Sequence, residues 1–325
     1  MAAADKIRIG VVGVGKMGRY HLEKYLQLPG VAVVGFVEPR AQIAAELTAK
    51  YGVRAFTELA ELLFEVDALT VACPTDAHAW VARRALEAGV HVLIEKPIAS
   101  RIEDAEELVA LAKRKACILQ VGMVERFRLG ALAQGVPLRP ALFVEAHRLS
   151  AQLARESTID VVSDLMIHDL DLALSLIDED PSQVSAIGMK VVTDKDDLAN
   201  VRIEFPSGAV MNLNASRVSQ DPVRKLRVFS DSAYVSFDFH KNTATVLRRN
   251  EKNAVEKNVQ QKAGFDPLLE QARDFVECVR TGRRPLVSGE DGVRALRIAQ
   301  LVIQRIEERG RLQASVSSHS TELNP

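Results

Sequence analysis

Apolar residues in the first part of the chain fall into short runs separated by amphipathic stretches. Ile7 to Val12, Val31 to Val37, Ala55-Phe56, Ala68 to Ala72, Val90 to Ile94 and Cys117 to Val121 have strand length and are rich in β-branched residues. Helical spacing predicts helices over Met17 to Leu28, Arg40 to Tyr51 and Ala77 to Ala88, the last two closed by Gly52 and Gly89. Thr57 is expected to cap a further helix, and Ser100 with Glu103 to form a capping box for a helix through Lys115. Short apolar strands alternating with amphipathic helices predict a parallel sheet covered on both faces.

Beyond residue 122 the pattern changes. Phe143 to Leu149 reads as a strand and Ile159 to Ile177 as one long helix. Strands are then predicted over Val184 to Val192, Val201 to Phe205, Ala209 to Ala215, Lys225 to Phe229, Tyr234 to Phe237 and Ala244 to Leu247, with a hairpin turn at Phe205-Pro206-Ser207-Gly208. Strands joined by short turns imply a mainly antiparallel sheet. Arg248 to Gly264 is polar and reads as a surface loop. Helices over Pro267 to Arg280 and Asp291 to Glu308, the second capped from Ser288, close the pattern. The chain thus reads as α/β. Residues 1–121 form a doubly wound dinucleotide-binding domain, 122–312 an α/β substrate-binding and oligomerisation domain with a large open sheet, and 313–325 a disordered tail.

Composition narrows the function classes. The 325 residues are 47% hydrophobic and 26% charged, with a formal net charge of −1, which supplies no general field for nucleic acid or a membrane surface. No apolar run has the length of a spanning helix, and MAAADKIRIG has no secretory apolar core. Cys73, Cys117 and Cys278 are few, odd in number and without metal spacing. They read as reduced thiols of a cytoplasmic protein with no metal site.

GVGKMG joins the first strand to the first helix. Gly13, Gly15 and Gly18 fit G-x-G-x-x-G: a tight turn, close approach of a pyrophosphate, and helix–strand packing. Lys16 and Met17 open the helix, whose N-terminus favours phosphate. Glu38 lies twenty residues past Gly18 at the end of the second strand, placed to accept the adenosine ribose hydroxyls. Its charge favours NAD over NADP, while the nearby Arg40 is the kind of residue that accommodates a 2′-phosphate.

Residues 92–100, VLIEKPIAS, end a buried strand in Glu95, Lys96 and Pro97. Charges at a sheet edge cost desolvation unless they are paired or used in chemistry. Further on, Asp160, Asp164, His168, Asp171 and Ser175 share one stripe of the long helix at 100° per residue, with Asp169 on another side. A stripe of Asp, His and Ser is unlike an ordinary solvated face.

The series GVGKMG, Glu38, CPTDAH (73–78), EKP (95–97) and DLMIHDLD (164–171) resembles the glucose-fructose oxidoreductase, inositol dehydrogenase and MocA family. The late segment GRRPLVSGEDGVRAL (282–296) also resembles it. The resemblance implies NAD as cofactor and a hydroxyl-oxidising activity in which Lys96, Asp164 and His168 meet at the nicotinamide. It also implies a cis Lys96–Pro97 bond. Either His168 or Lys96 is the base that takes the hydroxyl proton. Pro74, Thr75 and His78 fall on the cofactor side, and Glu95 has either a cofactor-side or a structural role. QVGMVERFRL (120–129) resembles the variant found in UDP-N-acetylglucosamine 3-dehydrogenases. By that resemblance Glu125, Arg126, Phe127, Arg148 and Arg217 line a nucleotide-sugar site, with Lys96, Asp164 and His168. Where that variant has an asparagine, this chain has Arg128.

The expected substrate is UDP-N-acetylglucosamine, oxidised at C3 for amino-sugar lipid or polysaccharide synthesis, with an aminotransferase as downstream partner. A free sugar or polyol such as inositol is the alternative substrate, and a non-catalytic NAD-binding redox sensor the alternative class. A homodimer or homotetramer is expected through the second-domain sheet, using an apolar face with Val201, Ile203, Phe205, Met211 and Leu213.

Overall fold

The computed structural model describes residues 6–150 and 159–322, with side chains as far as Leu312. The chain divides into two compact units. One comprises Met1–Phe127 with Asp266–Arg294, the other Arg128–Phe265 with Ala295–Pro325.

The first unit contains β1 (Ile7–Val12), α1 (Lys16–Leu26), β2 (Val31–Val37), α2 (Ala41–Tyr51), β3 (Arg54–Phe56), α3 (Leu59–Leu63), β4 (Ala68–Val71), α4 (Thr75–Glu87), β5 (His91–Glu95), α5 (Ile102–Arg114) and β6 (Leu119–Gly122). All six strands pair in parallel in the order β3-β2-β1-β4-β5-β6. This is the doubly wound order expected. The strand order reverses between β1 and β4, and in such sheets the crevice outside the carboxyl ends at that point receives ligands. Two local expectations fail. Glu58 rather than Thr57 precedes α3, and Arg101 precedes α5, neither with a side-chain cap. The Ser100 hydroxyl donates to Asp76, and Glu103 accepts from Arg101.

The second unit begins within α6 (Glu125–Leu132). It holds β7 (Phe143–Leu149), a π-helical stretch Val162–Met166, α7 (Ile167–Leu174), β8 (Gln183–Met189), β9 (Leu198–Glu204), β10 (Val210–Ser216), β11 (Val223–Phe229), β12 (Ala233–Asp238), β13 (Thr243–Arg249) and β14 (Val255–Gln261). Its eight strands run in the order β14-β13-β12-β11-β7-β10-β9-β8. Only β7 and β10 pair in parallel. Within the polar stretch expected as a loop, Val255–Gln261 is strand β14, paired antiparallel with β13.

Val201, Ile203, Phe205, Met211 and Leu213 are all buried. They share one parity, and Val201↔Leu213 and Ile203↔Met211 are cross-strand pairs, so they form the core face. The expectation that some of them present an apolar patch is therefore corrected. The opposite face carries Asn200 hydrogen-bonded to Asn214, Arg202 to Glu204, and Glu145 between His147 and Arg227. At one end of it Phe143, Phe229 and Tyr234 form an aromatic run, with centroids 5.3 and 4.8 Å apart.

Helix α8 (Pro267–Thr281) belongs to the first unit. Ala272, Phe275 and Val276 join Ile9, Leu22 and Tyr25 in one core cluster. Asp266 caps α8 by accepting from Leu268 and Leu269 N–H and pairs with Lys24 at 2.7 Å. The unit boundary falls within α9 (Gly289–Glu322), which runs beyond the expected end at Glu308 and into the tail expected to be disordered. Ser288 and Asp291 cap it reciprocally, as the sequence indicates for Ser288.

Helix α7 lies on β7 through a buried ion pair. Arg148 Nε and Nη2 donate to the two oxygens of Asp169 at 2.8 and 2.7 Å. Arg148→Ala leaves the Asp169 carboxylate in the interior without its guanidinium. We expect a loss of about 3–5 kcal/mol of stability in urea denaturation of the second unit. A loss below about 1 kcal/mol, the size of a surface pair, would contradict this assignment.

Candidate active site

The loop after β1 is shaped for close approach. Gly13 has φ +82°, and a Cβ there would lie 2.5 Å from Cys73 Cα. A Cβ at Gly18 would lie 1.8 Å from the Gly13 carbonyl oxygen, so α1 packs directly on the turn. Gly15 faces open space and begins α1 with no capping side chain, which leaves first-turn N–H groups for an anion. A cleft of about 450 Å³ is lined by Gly15, Lys16, Arg19, Tyr20, Arg40 and Tyr51. This cradle fits the diphosphate of a dinucleotide. Lys16 and Met17 are both exposed beside it.

Glu38 ends β2 and is buried, while the Arg40 side chain is mostly exposed. Arg40 N–H and Nε donate to one Glu38 oxygen at 3.1 and 2.6 Å, and Nη2 to the other at 2.9 Å. These contacts hold the carboxyl below its usual range, against the opposing effect of burial. A carboxylate fixed in this state accepts hydroxyl hydrogen bonds. Arg40 is thus a direct electrostatic companion of Glu38.

At the neighbouring strand ends, Glu95 is buried and Lys96 and Pro97 are half-buried, with a cis Lys96–Pro97 peptide. His21 Nε2 lies 2.7 Å from Glu95 Oε1, and Lys96 N–H points to Glu95 Oε2 at 3.3 Å. Pro74 is exposed and Thr75 half-buried at the start of α4. His78, expected beside the cofactor, is buried with Nδ1 2.9 Å from the Pro97 carbonyl oxygen and Nε2 2.9 Å from that of Cys73. Burial holds its pKa below the ordinary value, while the two carbonyls act in the opposite direction. His21 was not anticipated. Its only signal was its place between Gly18 and Tyr25 on the buried stripe of α1.

In the second unit, the π-helical stretch replaces the first part of the expected single helix, so a 100° wheel does not describe it. Asp160 serves as its N-terminal cap, accepting from Val162 and Ser163 N–H and the Ser163 hydroxyl. Asp171 is buried, and the Ser175 hydroxyl bonds back to the Leu172 carbonyl. Asp164 and His168, also in the predicted stripe, are half-buried.

The residues expected to line a nucleotide-sugar site are dispersed in role. The Arg148 guanidinium is engaged with Asp169. Arg217 is buried, donates to the Ile159 carbonyl at 2.7 Å and lies 3.8 Å from Asp197. Burial would raise the Asp197 pKa, but N–H groups of Val192, Thr193 and Val191 and the Thr193 hydroxyl outweigh it and lower it strongly. Phe127 is buried. Glu125 is also buried, Arg126 Nη2 lies 3.4 Å from Asp291, and Arg128 donates to the Phe239 carbonyl at 2.7 Å. Among the described residues, no group of three or more His, Cys, Asp or Glu is arranged to hold a metal.

The Glu38 geometry generates a cofactor test. Glu38→Ala weakens NAD binding by about 1–3 kcal/mol and narrows the preference over NADP, read by titration of each cofactor. Unchanged affinities for both would remove Glu38 from the nucleotide site.

Comparison with known proteins agrees with both units. A model described as "Oxidoreductase family, NAD-binding Rossmann fold" matches residues 7–123, and the family's C-terminal alpha/beta domain matches residues 152–314. The chain is 37% identical over 311 residues to UDP-N-acetylglucosamine 3-dehydrogenase of Acidithiobacillus ferrooxidans, covering 93% of this chain and 97% of that protein. A solved structure of that enzyme superposes with a TM-score of 0.88 at 36% identity, covering 94% and 99% of the two chains. Myo-inositol 2-dehydrogenase of Thermotoga maritima is 26% identical over 93% of this chain and 97% of its own. Levoglucosan dehydrogenase, solved with NADH and levoglucosan, shares the fold at a TM-score of 0.85 and 19% identity, over 94% and 98% of the chains. The chain therefore belongs to the NAD-binding oxidoreductase family of glucose-fructose oxidoreductase, inositol dehydrogenase and MocA.

Proposed function

We propose that this oxidoreductase oxidises C3 of UDP-N-acetylglucosamine to the 3-keto sugar, using NAD. The observation that carries the reading is the 37% identity to UDP-N-acetylglucosamine 3-dehydrogenase, which extends through both units. The more distant inositol dehydrogenase supports a polyol substrate less well. A 3-keto sugar is a natural substrate for an aminotransferase, so the product feeds amino-sugar lipid or polysaccharide synthesis.

Residues 13–18, Glu38 and Arg40 bind the cofactor, with Pro74, Thr75 and Glu95 on its side of the sheet. NAD, when bound, supplies the acceptor for the hydride leaving the carbinol carbon. His168 accepts the hydroxyl proton, a task suited to imidazole near neutral pH. Asp164, on the same helical segment, orients that ring. The Lys96 ammonium donates a hydrogen bond to the oxygen as negative charge develops there. Arg126 contributes to the nucleotide-sugar site.

We place the protein in the cytoplasm. No helix among the described residues is long and apolar enough to cross a membrane. Copies pair through the open face of the second-unit sheet as a dimer or tetramer. In this proposal the aromatic run Phe143, Phe229 and Tyr234 and the polar ladders around Asn214 and Glu145 form the contact.

A panel of UDP-sugars and free polyols with NAD, followed by NADH absorbance, tests the substrate. UDP-N-acetylglucosamine gives the highest kcat/KM, and Arg126→Ala mainly raises its KM. Oxidation of inositol with no response to any UDP-sugar would move the assignment to a polyol, and silence across the panel would favour a redox sensor. Lys96→Met and His168→Ala each lower turnover by about 10²-fold or more. Near-normal turnover in either removes that residue from the chemistry.

A further inference from the structure

The residues on either side of Lys96 are each held by a buried histidine. His21 projects from α1, is fully buried, and places Nε2 2.7 Å from Glu95 Oε1. A carboxylate only accepts, so Nε2 carries the ring proton at this contact. His21 Nδ1 has no hydrogen-bond partner among the described residues, so the Glu95 contact is the ring's polar anchor. On the other side, His78 is 1% exposed, with Nδ1 2.9 Å from the Pro97 carbonyl oxygen and Nε2 2.9 Å from that of Cys73 at the ends of β5 and β4. A neutral ring donates to one of these acceptors, and with its proton on Nδ1 it holds the Pro97 carbonyl.

The fit around Glu95 leaves little alternative. Glu95 pairs in register with Gly122 of β6, where a Cβ would stand 2.8 Å from the carboxylate oxygen. The same carboxylate receives the Lys96 N–H. His21 is supported in turn by Tyr25, with ring centroids 6.3 Å apart and the Tyr25 hydroxyl 2.7 Å from that of Thr70 on β4. These are buried polar groups with one arrangement each, and partial loss of such a network is costly. Their position on both sides of a single half-buried lysine is unexplained by helix or sheet formation alone.

Resting on Lys96 as the group that meets the substrate oxygen, we propose that His21 and His78 are positioning residues. Through Glu95 and the Pro97 carbonyl, they fix the backbone that aims the Lys96 ammonium. A displacement of about 1 Å at a reacting group is enough to cost roughly 10²-fold in rate.

The test uses the full chain and UDP-N-acetylglucosamine with NAD. His21→Phe and His78→Phe each lower kcat by about 10-fold or more, with little change in the KM for NAD. His21→Gln, whose amide can donate to Glu95, recovers most of the loss. In a Lys96→Met background the same substitutions cost nothing further, because positioning acts only through the lysine. A second readout uses the NAD-free protein: the rate at which acetic anhydride modifies Lys96, read by peptide mass spectrometry. It changes in His21→Phe and His78→Phe, while the rate at Lys113, an exposed residue of α5, stays constant.

If His21→Phe does not fold, Glu95→Gln probes the same contact with its shape retained, and it lowers kcat and alters Lys96 modification in the same way. Wild-type kcat and wild-type Lys96 reactivity in the folded variants overturn the inference. So do losses that simply add to that of Lys96→Met. Full turnover in Lys96→Met itself removes the catalytic reading instead, and its readout is separate from those of the histidine variants.

Discussion

A carboxylate withdrawn from water at the end of a central strand imposes strict terms on its neighbours. Glu95 is in that position at the end of β5. A charge so placed is stable only with directed hydrogen bonds and an opposite or polar companion. His21 of α1 and the backbone N–H after β5 meet those terms, and the glycine that ends β6 leaves room for the carboxylate. The requirement fixes what can stand at each of those places. It also fixes the exit direction of the chain at Lys96, and therefore where a charged amine is presented at the ligand-binding edge of the sheet.

The second unit shows the same economy in a different form. Three charged residues near the helix that carries Asp164 and His168 act within the unit. Arg148 holds α7 to β7 through Asp169, Asp160 caps the π-helical stretch, and Arg217 grips the Ile159 carbonyl just before it. Asp164 and His168, the residues proposed for proton transfer, lie half-buried on the segment these groups hold. Rigid support of this kind would suit the proposed proton transfer, whose efficiency depends on geometry before pKa.

The doubly wound unit was legible because its signals are local. Strand length, helix spacing and the G-x-G-x-x-G turn are each contained in a few adjacent residues, and Glu38 follows at a fixed distance. The losses came from interactions between residues far apart in sequence. Nothing near Arg148 indicates that Asp169 takes its guanidinium, and nothing near Phe127 indicates that its ring is buried. Strand β14 lacks the apolar alternation of a half-buried strand because it is an exposed edge, so Val255 to Gln261 reads as a loop. The face of Val201 and Met211 could not be assigned before their pairing partners were known, since alternation separates two faces without saying which is covered. The π-helical stretch escaped for a related reason. A wheel built on one period cannot register a local change of period.

The family fixes the class of chemistry, transfer of hydride to NAD, while the substrate and its carbon rest on the second unit and on closer relatives. Transfer from C3 of the nucleotide sugar is the central claim, and isotopic labelling addresses it directly. UDP-N-acetylglucosamine carrying deuterium at C3 is incubated with the enzyme and NAD, and the reduced cofactor is analysed by mass spectrometry. The account predicts that the deuterium appears in the NADH. NADH formed without deuterium, or deuterium retained in the sugar while NADH accumulates, would contradict it.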